Sequence, residues 1–389
     1  MPQSAVRPPR PRPVIKLLHT ADWQIGKLFG QFETDDASAL AEARIATVEG
    51  LARLATEEQV DLVLVAGDVF DAQGVADKTL RRLFNALAGY PGPWVMIPGN
   101  HDAGLAESVW TRAARLQAIP ANVTVCLSPA PLVLAAPALA ILPAPLTQRI
   151  TYTDLTEGFA ALDTPAGLPR IGLAHGSVQG LLAEGIDSSN PIAAGRAAQA
   201  RLDYLALGDW HGTRQVDERC WYAGTPETDN FKGNDSGNAL LVEIDGPGAL
   251  PRVTPVATGR YHWHDRTCAL LVGSDTDRLE EELAGFGAQD VIQLSVTGHT
   301  DLAGLRRIQR AIGAASGRVR SLTADLSALR LSPTDDDITA LQADGYLGEV
   351  IDELRQGQEG SDPVTAGVAR DALALLASLL DEQRGGDAR

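Results

Sequence analysis

Five short apolar runs punctuate the chain up to residue 207, at 14–18, 60–66, 94–97, 171–174 and 204–207. Each is too short for a core helix and is followed by turn-forming residues, the pattern of a strand buried on both faces. Between them, 39–55 and 77–87 repeat apolar residues at helical spacing, and such βα alternation predicts parallel strands with helices outside. Further mostly apolar runs at 123–127, 132–134, 139–142, 219–223 and 239–244 predict a second sheet of mixed direction. Beyond a boundary expected around 257–264, strands at 267–272 and 291–296 and helices at 276–284 and 301–312 predict a small α+β unit. From Thr334 onward helical spacing returns in Ile338, Leu341, Leu347, Val350, Ile351 and Leu354, and 366–380 carries a broad apolar face of Val368, Leu373, Leu375, Leu376, Leu379 and Leu380.

The five runs share a second property: metal-ligand residue types follow each one. Asp22 and Gln24 follow the first, Asp68 the second, Asn100, His101 and Asp102 the third, His175 the fourth, and Asp209 with His211 the fifth. In open α/β sheets the carboxyl edge of the strands is where ligand sites form. This order of residues describes a two-metal phosphoesterase site, because phosphodiester hydrolysis uses two divalent cations about 3.5 to 4 Å apart that activate a water and neutralise the phosphate. One carboxylate must bridge both ions, and Asp68, emerging from the most continuous apolar run, is the natural bridge.

At residues 18–26 (LHTADWQIG), 66–71 (AGDVFD), 98–102 (PGNHD), 204–208 (YLALG) and 222–227 (YAGTPE), the chain resembles the calcineurin-like metallophosphoesterase superfamily. More narrowly it resembles the SbcD-type DNA repair exonucleases that work beside an SbcC-type ATPase, over roughly residues 14–262. The resemblance implies a two-sheet αββα sandwich with a smaller α+β capping domain and C-terminal helices. Its expected layout is a flexible leader at 1–13, a nuclease domain at 14–262, a capping domain at 263–333 that touches DNA, and a helical segment at 334–389. That segment either docks the base of the ATPase coiled coil or folds back onto its own domain. The resemblance further implies a first cation on Asp22, Gln24, Asp68 and His211 and a second on Asp68, Asn100, His175 and Asp209. Gln24 and Asp209 depart from the family pattern, which has histidine at both places. Oxygen in place of imidazole nitrogen moves the preference toward Mn²⁺ or Mg²⁺ and away from Zn²⁺. His101 is then the expected proton donor, since an imidazole titrates near neutrality. Asp102 either orients that ring or satisfies backbone amides, and His19 either supports a ligand or packs at its strand end.

Composition adds constraints. A leader rich in proline and arginine lacks the apolar centre of a signal peptide. No run of about 20 residues free of charges and turn breakers is evident, so no membrane span is expected. Cys126, Cys220 and Cys268 are too dispersed for a disulfide framework and read as core thiols of a cytoplasmic protein. The net charge of −17, from 33 basic against 50 acidic residues, opposes unaided DNA binding. DNA is therefore expected to be gripped mainly by a partner or by local basic clusters such as Arg81-Arg82 and Arg214, and the chain is expected to form a homodimer or a complex with the ATPase. The acidic charge leaves two alternatives open: a phosphodiesterase or phosphatase acting on small molecules, and a scaffold subunit with a weak metal site. His262 and His264 share one face of an extended segment, as either a metal-binding or base-stacking pair or an ordinary exposed strand. No phosphate-binding loop for ATP appears.

Overall fold

The computed structural model describes residues 14–180, 189–340 and 345–387. The leader and Leu341 lie outside the described residues. The chain forms two compact units, residues 1–261 and 262–389.

The first unit contains β1 (Ile15–Thr20), α1 (Thr34–Glu57), β2 (Leu62–Ala66), α2 (Asp77–Ala86), β3 (Trp94–Ile97), α3 (Val109–Arg115), β4 (Val123–Val125), β5 (Leu132–Ala135), β6 (Ala138–Ala144), β7 (Arg170–His175), β8 (Ser177–Val178), β9 (Pro191–Ile192), α4 (Arg196–Gln199), β10 (Tyr204–Gly208), β11 (Arg214–Gln215), β12 (Cys220–Tyr222), β13 (Asn238–Ile244) and β14 (Arg252–Ala257). One six-stranded sheet has the order β14-β13-β1-β2-β3-β4 and the other β11-β12-β10-β7-β6-β5. Alternation along the strands sorts the side chains into layers. Leu18, Val63, Val65 and Trp94 face α1 and α2 in one core. Leu17, Leu62, Leu64 and Val95 meet Ile141, Leu173 and Tyr204 between the sheets. Leu142, Leu205 and Leu207 pack beneath α4 and the turn at Glu157–Ala161. The expected αββα sandwich is therefore present.

Two strands fall elsewhere than expected. β4 and β13 join the first sheet, β4 parallel to β3 and β13 antiparallel to β1. β13 has no local cue for its sheet, because both of its faces are apolar and its partner lies at the start of the chain. α1 is longer than its apolar stripe: Asp35 and Asp36 in its first turn complement the helix dipole.

The second unit runs β15 (His262–Leu270), α5 (Gly273–Gly285), β16 (Asp290–Thr300), α6 (Leu302–Ser316), β17 (Ser321–Asp325), β18 (Leu329–Leu331), α7 (Asp335–Ala340), α8 (Tyr346–Gln358) and α9 (Pro363–Asp387). β15, β17 and β18 all pair parallel to β16, so α5 and α6 serve as crossovers between parallel strands. Pro363–Leu380 of α9 is long and apolar enough to cross a membrane by length and composition alone, although Gly367, Arg370 and Asp371 interrupt it. Its alanines raise the mean hydropathy around only two charges, Arg370 and Asp371. Leu373 is buried with Ile338 and Ile351, and Ala377 with Leu302. On the other side Val364, Val368, Leu375 and Leu379 remain exposed.

Candidate metal centre

The loops that follow β1 and β2 are joined by main-chain hydrogen bonds. Asp22 N–H donates to Gly67 O at 3.1 Å, Gln24 N–H to Asp68 O at 2.9 Å, and Ile25 N–H to Val69 O at 2.9 Å. This pairing sets Asp22, Gln24 and Asp68 side by side at the carboxyl edge of the first sheet. All three hold left-handed backbones, with φ of 53°, 48° and 51°. That conformation is sparsely populated by non-glycine residues and concentrates at functional sites. Glycines supply the space: a Cβ on Gly67 would lie 2.4 Å from His175 Nδ1, and one on Gly99 2.2 Å from Asp68 Oδ1.

His175 reaches across from the second sheet. Its Nδ1 donates to the Ala66 carbonyl at 2.8 Å, which turns Nε2 toward the other donors, as in metal-ligating histidines. Nε2 lies 3.6 Å from Asp68 Oδ1 and 3.7 Å from Asp209 Oδ1. Asp22, Asp68 and His175 each offer one donor atom, all within 4.8 Å of one another. The Asp209 N–H points at both Asp22 oxygens, at 3.1 and 3.2 Å.

Several acceptors here face each other. Asn100 Oδ1 sits 2.9 Å from His175 Nε2 and also faces the Asp68 carboxylate, so that only a swapped amide would donate there. Gln24 donates Nε2–H to Asp68 Oδ2 at 2.8 Å and leaves its own Oε1 buried without a partner. Burial drives Asp22 up to about 6, and Asp68 and Asp209 add to the rise while His211 and His175 oppose it. Burial works against charge on His175, yet Asp68, Asp22 and Asp209 prevail and push it up to about 9. Buried acceptors and mutually repelling carboxylates of this kind are satisfied by cations, and the oxygen-rich donor set fits hard divalent ions.

His211 is held from behind. Its Nδ1 lies 3.3 Å from both oxygens of Asp229, leaving Nε2 free. Asp229 is fully buried and pairs with Lys27 at 2.6 Å, with Arg44 at 3.8 Å also in reach. Burial opposes its ionisation, but His211, Arg44 and Lys27 together hold it well below the usual carboxylate range. Neither Asp229 nor Lys27 carries a sequence signal, since their meaning depends on a contact across 202 positions. Arg44 does carry one: an arginine on the buried stripe of α1 between Ala43 and Ile45. It donates to the carbonyls of Asp22 (3.0 Å), Trp23 (2.7 Å) and Glu227 (3.0 Å) and to Thr225 Oγ1 (2.9 Å). Glu227 in turn accepts from Thr47 Oγ1 at 2.6 Å and from the main-chain N–H of Arg260 and Tyr261 at 2.7 and 3.0 Å.

His101 stands at the rim. Its N–H donates to Asp68 Oδ1 at 2.9 Å, and its Nδ1 lies 2.8 Å from the Asp71 carbonyl, so Nε2 is the outward nitrogen. The Asp102 carboxylate accepts the N–H of Gly99 (2.6 Å) and Phe70 (3.2 Å), which sets the shape of this turn. Burial, reinforced by Asp68, pushes Asp102 up to about 7. His19 is buried between the sheets, its Nδ1 2.9 Å from the Tyr204 hydroxyl. Arg82 is paired with Glu42, and Arg214 lies over the Trp210 ring at 5.5 Å, next to Asp209 and His211.

Three relatives, each named as the SbcD component of the SbcCD nuclease, are similar to part of this chain. The protein of Rhodobacter capsulatus is 41% identical over 93 residues, 23% of this chain and 22% of the relative. Those of Bacillus subtilis and Staphylococcus epidermidis are 33% and 32% identical over 92 and 95 residues. The matched stretch thus spans under a quarter of each relative's length. A crystal structure of the Thermus thermophilus protein TT1561 superposes with a TM-score of 0.40 at 12% identity, covering 63% of this chain and all of that one. The model of the calcineurin-like phosphoesterase family matches residues 15–242, more than half of the sequence, and the chain belongs to that family.

Proposed function

We propose that the chain is a DNA nuclease subunit that hydrolyses phosphodiester bonds with two divalent cations, Mn²⁺ or Mg²⁺, and works with an SbcC-like ATPase in the cytoplasm. The observation that carries this reading is the set of buried donors from both sheets, Asp22, Asp68 and His175, within 4.8 Å of one another. The named relatives support the substrate and the partner. Asp22, Gln24, Asp68 and His211 would hold one ion, and Asp68, Asn100, His175 and Asp209 the other. Bound there, such ions lower the pKa of a water and neutralise the phosphate. The chain's own residues do the rest. His101, with Nδ1 tied to the Asp71 carbonyl, keeps Nε2 free to pass a proton to the leaving oxygen. Asp102 positions that residue by fixing the Gly99 and Phe70 amides, and Asp229 keeps His211 turned.

The exposed stripe Val364, Val368, Leu375 and Leu379 on α9 offers the ATPase a helix face. A second reading, hydrolysis of a small phosphodiester, is favoured by the net charge of −17 and by the neutralisation of Arg82 by Glu42. Labelled linear DNA and bis-p-nitrophenyl phosphate, each incubated with protein and Mn²⁺ beside an Asp68→Asn control, separate the two. Control-sensitive DNA degradation supports the nuclease. Hydrolysis of the small ester alone, with or without the ATPase, supports the second reading.

A further inference from the structure

The second unit holds a cluster that the proposed hydrolysis does not use. His262 and His264 lie two positions apart on β15 and therefore on one face. β16 runs beside it with Asp290 directly opposite His262. The Asp290 Oδ1 lies 2.7 Å from His264 Nε2 and 3.8 Å from His262 Nδ1. Two imidazoles from one strand thus each approach the same carboxylate oxygen of its neighbour.

Two of these three donors are already oriented. Asp290 Oδ2 accepts the Gly287 N–H at 2.7 Å, which aims Oδ1 at the histidines. The His264 ring lies against Phe286, with centroids 4.8 Å apart. Such outer contacts are what fix the ligands of a metal site. The third donor is the exposed one: the His262 side chain is 63% exposed, against 22% for His264 and 17% for Asp290. The proposed site requires the exposed His262 ring to turn toward Asp290 Oδ1, from which its Nδ1 now lies 3.8 Å away.

We propose that His262, His264 and Asp290 form a separate site for a single divalent cation of the zinc class. Imidazole suits zinc, copper and nickel, whereas an all-oxygen set suits Mg²⁺ and Mn²⁺. The two centres in the chain therefore differ in preference: the oxygen-rich one takes hard ions, and this one takes zinc. Two histidines and one carboxylate with open positions is a known zinc arrangement. The ion replaces the proton between His264 and Asp290.

The test is made on the full chain carrying Asp68→Asn, which weakens the other centre, using Zn²⁺ alone in competition with a chromophoric chelator. The parent should retain one more zinc per chain than the His262→Ala/His264→Ala double variant. His262→Ala alone, at an exposed position, should weaken zinc at least about tenfold. Co²⁺ loaded in place of zinc should give visible absorption in the parent that the double variant lacks. Equal zinc content and equal affinity in parent, single and double variants would overturn the assignment. So would zinc binding that is lost only when residues of the first unit are changed. Neither result bears on phosphodiester hydrolysis.

Discussion

Gln24 donates its side-chain N–H to Asp68, Nε2 to Oδ2, at 2.8 Å. An amide thus lies against the carboxylate proposed to bridge two ions, where the resembling nucleases carry an imidazole. Gln24→His should tighten the first cation about 10- to 100-fold, the range by which ligand and near-ligand changes act. Mn²⁺ titration by calorimetry reads this directly, and identical isotherms would place Gln24 outside the ion's reach.

Asp68→Asn should lower the number of bound Mn²⁺ ions by at least one. Asp68 accepts from Gln24 Nε2–H and the His101 main-chain N–H and lies 3.6 Å from His175 Nε2, so its carboxylate stands in the middle of the donor set. Metal content after dialysis decides the matter, and unchanged content in the variant would refute a bridging role.

His101→Ala should leave metal content intact and slow DNA cleavage about 10²- to 10⁴-fold, the usual worth of a positioned general acid. A p-nitrophenyl ester, whose leaving group departs without a proton, should suffer much less. An equal loss on both substrates would remove His101 from the proton-transfer role.

Asp229→Asn removes the charge that turns His211 and leaves Lys27 and Arg44 facing a neutral amide. We expect Mn²⁺ binding about 10- to 100-fold weaker, with circular dichroism showing the fold retained. Full metal affinity in this variant would make Asp229 a purely structural anchor.

The metal-free protein should lose thermal stability as pH rises from 7 to 9. His175 carries a pKa raised to about 9 by the surrounding carboxylates against the effect of burial. Its contribution is complete below the unfolded value near 6.5 and is lost as pH climbs through 9. Asp102, raised to about 7 by burial and Asp68, acts in the same direction at the lower end of that window. His19, which burial lowers to about 3, costs stability only below about 6.5. Mn²⁺ binds the neutral imidazole, so saturating metal should flatten the slope. Melting curves at three pH values, with and without Mn²⁺, test this; a rise in stability toward pH 9 without metal contradicts it.

The ligand-bearing strands β1, β2, β3, β7 and β10 were legible because each is a mostly apolar run ending beside a donor. Sheet membership was less so. Nothing near 238–244 states that its partner is β1, and β14, with four of its six residues exposed at a sheet edge, has no apolar pattern to read. The same division holds at the centre. Donors that follow strands announce themselves, while Lys27 and Asp229 acquire meaning only when the fold joins them, and Gln24 reveals through geometry which of its two amide atoms meets Asp68. In the second unit the histidine pair on β15 was visible, but Asp290 was not.

Arg44 and Glu227 give the first unit an unexpected mechanical property. One guanidinium ties down the carbonyls of Asp22, Trp23 and Glu227, and the Glu227 carboxylate grips the amides of Arg260 and Tyr261. The chain where it leaves this unit is therefore joined, through two side chains, to the main chain of the aspartate that opens the donor set. Any machine that pulled on that exit would have its hand on the chemistry without touching a substrate.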